Sequence, residues 1–328
     1  MIDPTPLPPP VRPGGKVGVA ALAGPVAAER LAAGLRGLER LGYRPVKARN
    51  LAARDGLFAG SDAERLEAFH ELAARDDIEA ILFARGGWGV LRLIERIDWR
   101  LLANRPRPYV GYSDLTPFLL ALPERAGFAA FHGPMVAADL ARGLDRTEAA
   151  DLVAALSGRP RREHSLAFCE PGPPVEGTLF GGSLSLLTAT LGTKWAADLE
   201  GALLFVEDLH EPPFRLDRML THLRLSGTLN SIRGMVVGHL HALGEDAPTV
   251  DERARRARDA ALRQADRRVG QVARDDVIVE LAEGFDWPLG LGLAAGHSTP
   301  NTTLPLGVAA RFDPAARQLR LVEVGVGA

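Results

Sequence analysis

Short apolar runs alternate with segments of helical period through the first half of the chain, and this alternation restricts the fold more than any other feature of the sequence. Val17 to Ala23 is an apolar run closed by Gly24-Pro25, and the apolar positions from Leu31 to Leu41 then recur at helical spacing until Gly42. Ser61 and Glu64 make a capping box for a helix through Ala74. Ala80-Ile81-Leu82-Phe83 then reads as a buried strand whose end carries Arg85-Gly86-Gly87-Trp88-Gly89. Another helix follows, then the strand Tyr109-Val110, a helix through Leu122 opened by Ser113, and the run Phe128 to Phe131 closing at His132-Gly133-Pro134. Such alternation predicts an α/β fold with a mostly parallel sheet whose ligands bind at the carboxyl ends of its strands. Gly86-Gly87 and Ser113 both fall on that edge.

A helix from Thr147 to Leu156 ends at Ser157-Gly158, and the stretch to Pro174 is rich in proline and arginine with little periodicity. This composition predicts an N-terminal domain over 1–157, a linker over 158–176 and a C-terminal domain over 177–328. Within the last, Gly181-Gly182-Ser183 opens a short helix, and Ala202 to Val206 is an apolar strand delivering Glu207-Asp208 at its end. Pro212-Pro213 starts a helix with Leu216, Met219, Leu220 and Leu223 on one face, stopping at Gly227. Met235 to Leu240 suits a further strand. Gly244 to Arg274 mixes Arg, Asp and Ala, as a solvated surface helix does. After Gly296-His297-Ser298-Thr299-Pro300-Asn301, alternating segments from Thr303 to Val322 suit antiparallel strands.

Composition narrows the function. With 46% hydrophobic and 24% charged residues, 328 residues are ordinary for a globular protein with a sizeable core. A net charge of -2, three Tyr and four Trp offer neither a basic field nor stacking platforms for nucleic acid. The start, Met1-Ile2-Asp3-Pro4, has neither the basic nor the apolar part of a signal peptide, and no run is long enough to span a bilayer. The single cysteine, Cys169, forms no internal disulfide, which suits a reducing cytoplasm.

Three candidate groups lie far apart in sequence. A side chain at a tight strand-to-helix turn is held out of the sheet, beside free helix N-H groups, so Ser113 is a candidate nucleophile; equally, Ser113 or Asp114 could merely cap the helix. A serine needs a base, and an imidazole serves best when a carboxylate fixes its tautomer, which points to His297 and Glu207 in the order Ser, Glu, His. Each has a structural reading too, Glu207 as a helix cap and His297 as part of a turn. His239 and His241, two apart on a strand, could instead bind a metal, although no HExxH-type motif accompanies them.

Arg85-Gly86-Gly87-Trp88-Gly89, Gly111-Tyr112-Ser113-Asp114-Leu115-Thr116, His132-Gly133-Pro134-Met135, Gly181-Gly182-Ser183-Leu184, Glu207-Asp208 with Arg215 to Leu220, and Gly296-His297 through Pro305-Leu306-Gly307 together resemble the muropeptide LD-carboxypeptidases. The motifs run co-linearly over almost the whole chain. Trp88 stands where that family commonly has tyrosine and Ser183 where it commonly has asparagine. The resemblance implies a serine peptidase that removes the terminal D-alanine of muropeptide tetrapeptides, with Ser113, Glu207 and His297 as its triad. It also implies an N-terminal α/β domain, a smaller β-rich C-terminal domain, a cytoplasmic homodimer, and no metal or other cofactor. Backbone N-H groups of Gly87 and Asp114, at two strand ends, would then hold the oxyanion. Arg85 and Trp88 would contact the substrate, Arg85 through its terminal carboxylate or else as a structural ion-pair partner. The same superfamily includes microcin C immunity hydrolases, which cut an amide in acyl-sulfamoyl adenylates. A metal-dependent hydrolase using His239 and His241, or a small-molecule binding module, are the readings from other classes.

Overall fold

The computed structural model describes residues 4–209, 211–240 and 274–322. In chain order the first half holds β1 (Lys16–Ala20), α1 (Ala28–Arg40), β2 (Arg44–Lys47), α2 (Asp62–Ala73), β3 (Ala80–Phe83), α3 (Trp99–Ala103), β4 (Tyr109–Gly111), α4 (Thr116–Ala126), β5 (Ala130–His132) and α5 (Arg146–Leu156). The second half holds β6 (Glu163–Ser165), β7 (Phe168–Cys169), β8 (Val175–Ser183), α6 (Leu184–Thr190), β9 (Ala202–Glu207), α7 (Pro213–Leu225), α8 (Thr228–Ser231), β10 (Gly234–Val237), α9 (Arg274–Ala282), β11 (Leu289–Leu291), β12 (Leu304–Leu306), β13 (Val308–Asp313) and β14 (Gln318–Leu321). His241 and most of the segment 244–274 lie outside the described residues.

Two sheets organise these elements. The first runs β12-β5-β4-β3-β1-β2, parallel from β2 to β5, so the expected parallel α/β unit is present. Its order reverses between β1 and β3, the switch point where doubly wound sheets leave a crevice at their carboxyl edge. There the N-H of Gly24, after β1, donates to the carbonyl of Gly86, after β3, at 3.1 Å. The second sheet is strand-rich and runs β6-β14-β13-β8-β9-β10-β11-β7, with β8 to β11 parallel at its centre.

Local chemistry explains the elements that matter for the site. Ser61 and Glu64 form the expected reciprocal cap of α2, at 3.2 and 2.8 Å. Pro117 sits in the first turn of α4, where no N-H is needed, and Gly127 ends that helix at φ 81°. Phe118 fixes α4 against the sheet, edge-on to Phe83 at 5.3 Å and to Phe69 at 5.7 Å, with Tyr109 at 5.6 Å. Burying such a ring contributes about 1.5–3 kcal/mol, and that energy anchors the turn before the helix.

Two features depart from the expected layout. The segment 158–176 supplies β6 and β7, at opposite edges of the second sheet, rather than running free as a linker. β12, expected among the C-terminal strands, leaves its neighbours and pairs antiparallel with β5 in the first sheet, Leu304 opposite His132. The chain between β11 and β12 therefore passes from one sheet to the other.

Candidate active site

Ser113 stands between β4 and α4 at φ 63°, one of two non-glycine residues with positive φ among those described. The left-handed conformation costs a serine roughly 1–2 kcal/mol, which the packing of Phe118 and the hydrogen bonds of its neighbour sustain. Asp114 follows, buried, and its Oδ2 accepts the N-H of Val90 at 2.9 Å, tying the Ser113 turn to the glycine-rich loop after β3. Burial pushes the Asp114 carboxyl up to about 6 against that bond and the charge of Arg65. A β-carbon on Gly86 would stand 2.9 Å from Ser113 Cβ, 3.0 Å from its Oγ and 3.5 Å from Asp114 N, so only glycine lets the two loops approach this closely. Neither Ser113 nor Asp114 acts as a side-chain cap of α4.

Glu207 ends β9, fully buried, and Ser183 ends the adjacent β8 in register with it. Glu207 Oε2 lies 2.6 Å from His297 Nδ1. Burial alone would raise the Glu207 carboxyl, but the charge and hydrogen bond of His297 hold it below its ordinary range. Burial likewise pulls His297 down, and the Glu207 carboxylate outweighs it, leaving the imidazole more basic than usual. A β-carbon on Gly296 (φ 111°) would meet Glu207 Oε2 at 2.7 Å, so glycine is required there for both conformation and space.

The junction of the sheets brings the Glu207–His297 pair beside the turn that carries Ser113. His297 rides on the chain between β11 and β12, and its ring lies edge-on to that of Tyr112, the residue before Ser113, at 4.8 Å. Thr116 Oγ1, in the first turn of α4, accepts the N-H of Ser183 at 3.1 Å. Among the described residues Ser113 Oγ and His297 share no hydrogen bond.

Arg85 and Trp88 lie at the rim. Arg85 is exposed and donates to the carbonyl of Pro25 at 3.1 Å, without a carboxylate partner among the described residues, and Trp88 is 62% exposed. Gly87, at φ 116°, packs on Gly24. His239 Nε2 lies 3.2 Å from the Pro300 carbonyl, and its backbone N-H donates to Ala295. No three His, Cys, Asp or Glu among the described residues are grouped as metal ligands.

Sequence reasoning assigned no role to His132, Glu148 or Asn301. His132 is fully buried between the rings of Tyr112 and Phe205, and burial pushes it down to about 4, so it is neutral beside Glu207. Its motif was visible, but a buried histidine gives no local signal of what it packs against. Glu148 fell within the helix expected over 147–156, with nothing local to mark it.

Family models describe residues 17–133 as an LD-carboxypeptidase N-terminal domain and residues 176–312 as an LD-carboxypeptidase C-terminal domain. The chain is 33% identical to the "Probable murein peptide carboxypeptidase" of Bacillus subtilis (strain 168), over 95% of this chain and 93% of the relative. It superimposes on the crystal structure of muramoyltetrapeptide carboxypeptidase from Oxalobacter formigenes with a TM-score of 0.79 at 29% identity, covering 95% of this chain and all of the other (100%). The microcin C7 self-immunity protein MccF of Escherichia coli is 24% identical over 90% of this chain and 89% of its own length. Its complex with glutamyl sulfamoyl guanosine shares the fold, with a TM-score of 0.82 at 21% identity over 98% of this chain and 99% of the other. Two matched domains in order, and one-third identity along nearly the whole length, place this chain in the LD-carboxypeptidase family.

Proposed function

We propose that the protein is a serine LD-carboxypeptidase that releases the terminal D-alanine from muropeptide tetrapeptides. The observation that carries this reading is the short contact of a fully buried Glu207 with His297 beside a turn that holds Ser113 in a left-handed conformation. Ser113 Oγ attacks the carbonyl between the L-centre and D-alanine, and His297 takes the hydroxyl proton and later delivers it to the leaving amine. Glu207 fixes the tautomer and stabilises the imidazolium, which its effect on the basicity of His297 supports. Backbone N-H groups of Gly87 and Asp114 hold the tetrahedral oxyanion, each worth about 3 kcal/mol of barrier. Water then resolves the acyl-serine by the same proton path.

Arg85, exposed at the rim, meets the terminal carboxylate, and Trp88 offers an apolar face to the peptide. Occupation of the cytoplasm as a homodimer belongs to the same reading and rests on the family resemblance. The amide of an acyl-sulfamoyl adenylate is the less favoured substrate, because identity is higher to the carboxypeptidase than to MccF.

Incubation with a muropeptide tetrapeptide, followed by mass and chiral analysis of products, tests enzyme, bond and stereochemistry together. Release of D-alanine by the native protein, and its loss in folded Ser113→Ala, is the expected result. Equal release by Ser113→Ala removes the serine from its role.

A further inference from the structure

His297 is held on a chain segment suspended between two sheets, so something must set its height over Ser113. β11 belongs to the second sheet and β12 to the first, and residues 292–303 between them contain no strand of their own. Glu207 fixes one ring nitrogen and also takes a backbone hydrogen bond from His297, but both contacts come from β9 of the second sheet. Leu293 N-H to Val237 and His239 N-H to Ala295 hold the segment to the β10 side, and the tie to the first half of the chain runs through Asn301 and Glu148. Asn301 is fully buried, and its Oδ1 accepts the N-H of Gly296, the residue before His297, at 2.9 Å. Its own N-H donates to Glu148 Oε1 at 2.7 Å.

Glu148 belongs to α5, on the same half of the chain as Ser113, and is fully buried. Four donors converge on its carboxylate: Asn301 N-H, the N-H of Asp145 at 2.9 Å, and both terminal nitrogens of Arg142. A carboxylate meets four donors, whereas a carboxamide would turn an N-H2 group towards one side of that cluster. Asp151, one turn further along α5, lies beside Thr302 of the same segment. The helix that closes the nucleophile-bearing half thus grips the segment that carries the base.

We propose that Glu148 and Asn301 are positioning residues that clamp the 296–301 turn to α5 and so set the register of His297 against Ser113. The proposal rests on the serine-hydrolase reading above. Without the clamp, Gly296 keeps its left-handed turn but loses its partner, and His297 can move with the turn while still bound to Glu207. A displacement near 1 Å costs about 10²-fold in rate. Substrate contacts at the rim, on Arg85 and Trp88, are untouched, so the loss belongs to kcat.

The test compares native protein, Asn301→Ala and Glu148→Gln by thermal unfolding, by kcat and KM on the tetrapeptide, and by proton NMR of the His297 Nδ1 hydrogen shared with Glu207. That resonance is assigned by its absence in His297→Ala. Both variants are expected to fold, to lose about ten- to hundredfold in kcat with KM within about threefold, and to show the resonance broadened or shifted. A folded Asn301→Ala with unchanged resonance and kcat within about threefold overturns the clamp. So does failure of both variants to fold, since a clamp on one turn leaves both sheets intact. A native protein that shows the resonance but leaves the tetrapeptide whole sinks the substrate reading instead, and the clamp is then judged on the resonance alone.

Discussion

Gly86→Ala separates a steric requirement of the site from a requirement of the fold. Gly86 is not among the residues with positive φ, so alanine meets no backbone strain, and the whole effect comes from the new methyl group. That methyl stands 2.9 Å from Ser113 Cβ, where apolar carbons prefer about 3.5–4.0 Å, so the two loops must part by roughly 0.6–1 Å. Ser113 cannot yield easily, because Asp114 is tied to Val90 and α4 is packed through Phe118. The parting falls between Ser113 Oγ, with the candidate donor at Asp114, on one loop and the candidate oxyanion donor at Gly87 on the other. Misplacement of that size costs about 10²-fold, and loss of one donor about 10²–10³-fold, whereas overpacking lowers stability by only about 1–3 kcal/mol. Leu319→Ala supplies the contrast: it empties a fully buried position on β14 and costs about 2–5 kcal/mol, with kcat of the folded protein unchanged. Steady-state kinetics and thermal melts on both variants decide the matter. A Gly86→Ala protein within threefold of native kcat/KM, a change of about 0.7 kcal/mol, refutes the argument that this approach shapes the catalytic centre.

In Glu207→Gln the carboxylate that raises the basicity of His297 is gone and burial dominates, so the imidazole titrates below its ordinary 6.5 instead of above it; histidine NMR titration checks the sign, and an unmoved titration contradicts it. Turnover in the same variant falls by up to about 10⁴-fold, measured on the tetrapeptide. Ser113→Gly removes the left-handed strain and is expected to be inactive yet more stable by about 1 kcal/mol, read as a higher Tm; a lower Tm argues that the turn is unstrained. His164 is buried and pushed down to about 4, so the unfolded chain binds its proton first and stability drops as pH falls from 6.5 towards 4, by up to about 3 kcal/mol. Asp114, raised to about 6, works the other way below that pH, so the check is the flatter slope of stability against pH in His164→Leu, not the native slope alone; equal slopes refute it.

Much of the first sheet was legible because its signals are local. The capping box at Ser61 and Glu64, the proline in the first turn of α4 and the four-residue apolar run of β3 each state an element within a few residues. Once strand and helix alternate, right-handed crossovers gather the strands' carboxyl ends at one edge, which is why Ser113 and Gly86-Gly87 could both be placed on that edge. β6, β7 and β12, two or three residues long, carry no period to read. Whether so short a run becomes a strand depends on the edge that happens to lie beside it, and on the side chains across that edge, more than on its own propensity. The sequence alone therefore determined the longer elements of the first sheet, the cap of α2, and the places of Ser113 and Glu207 at the ends of strands. Tertiary structure decided that β12 crosses to the first sheet, that His297 hangs between the sheets, and that Glu148 reaches Asn301 across 153 positions, because hydrogen bonds between distant residues have no signature in either segment by itself.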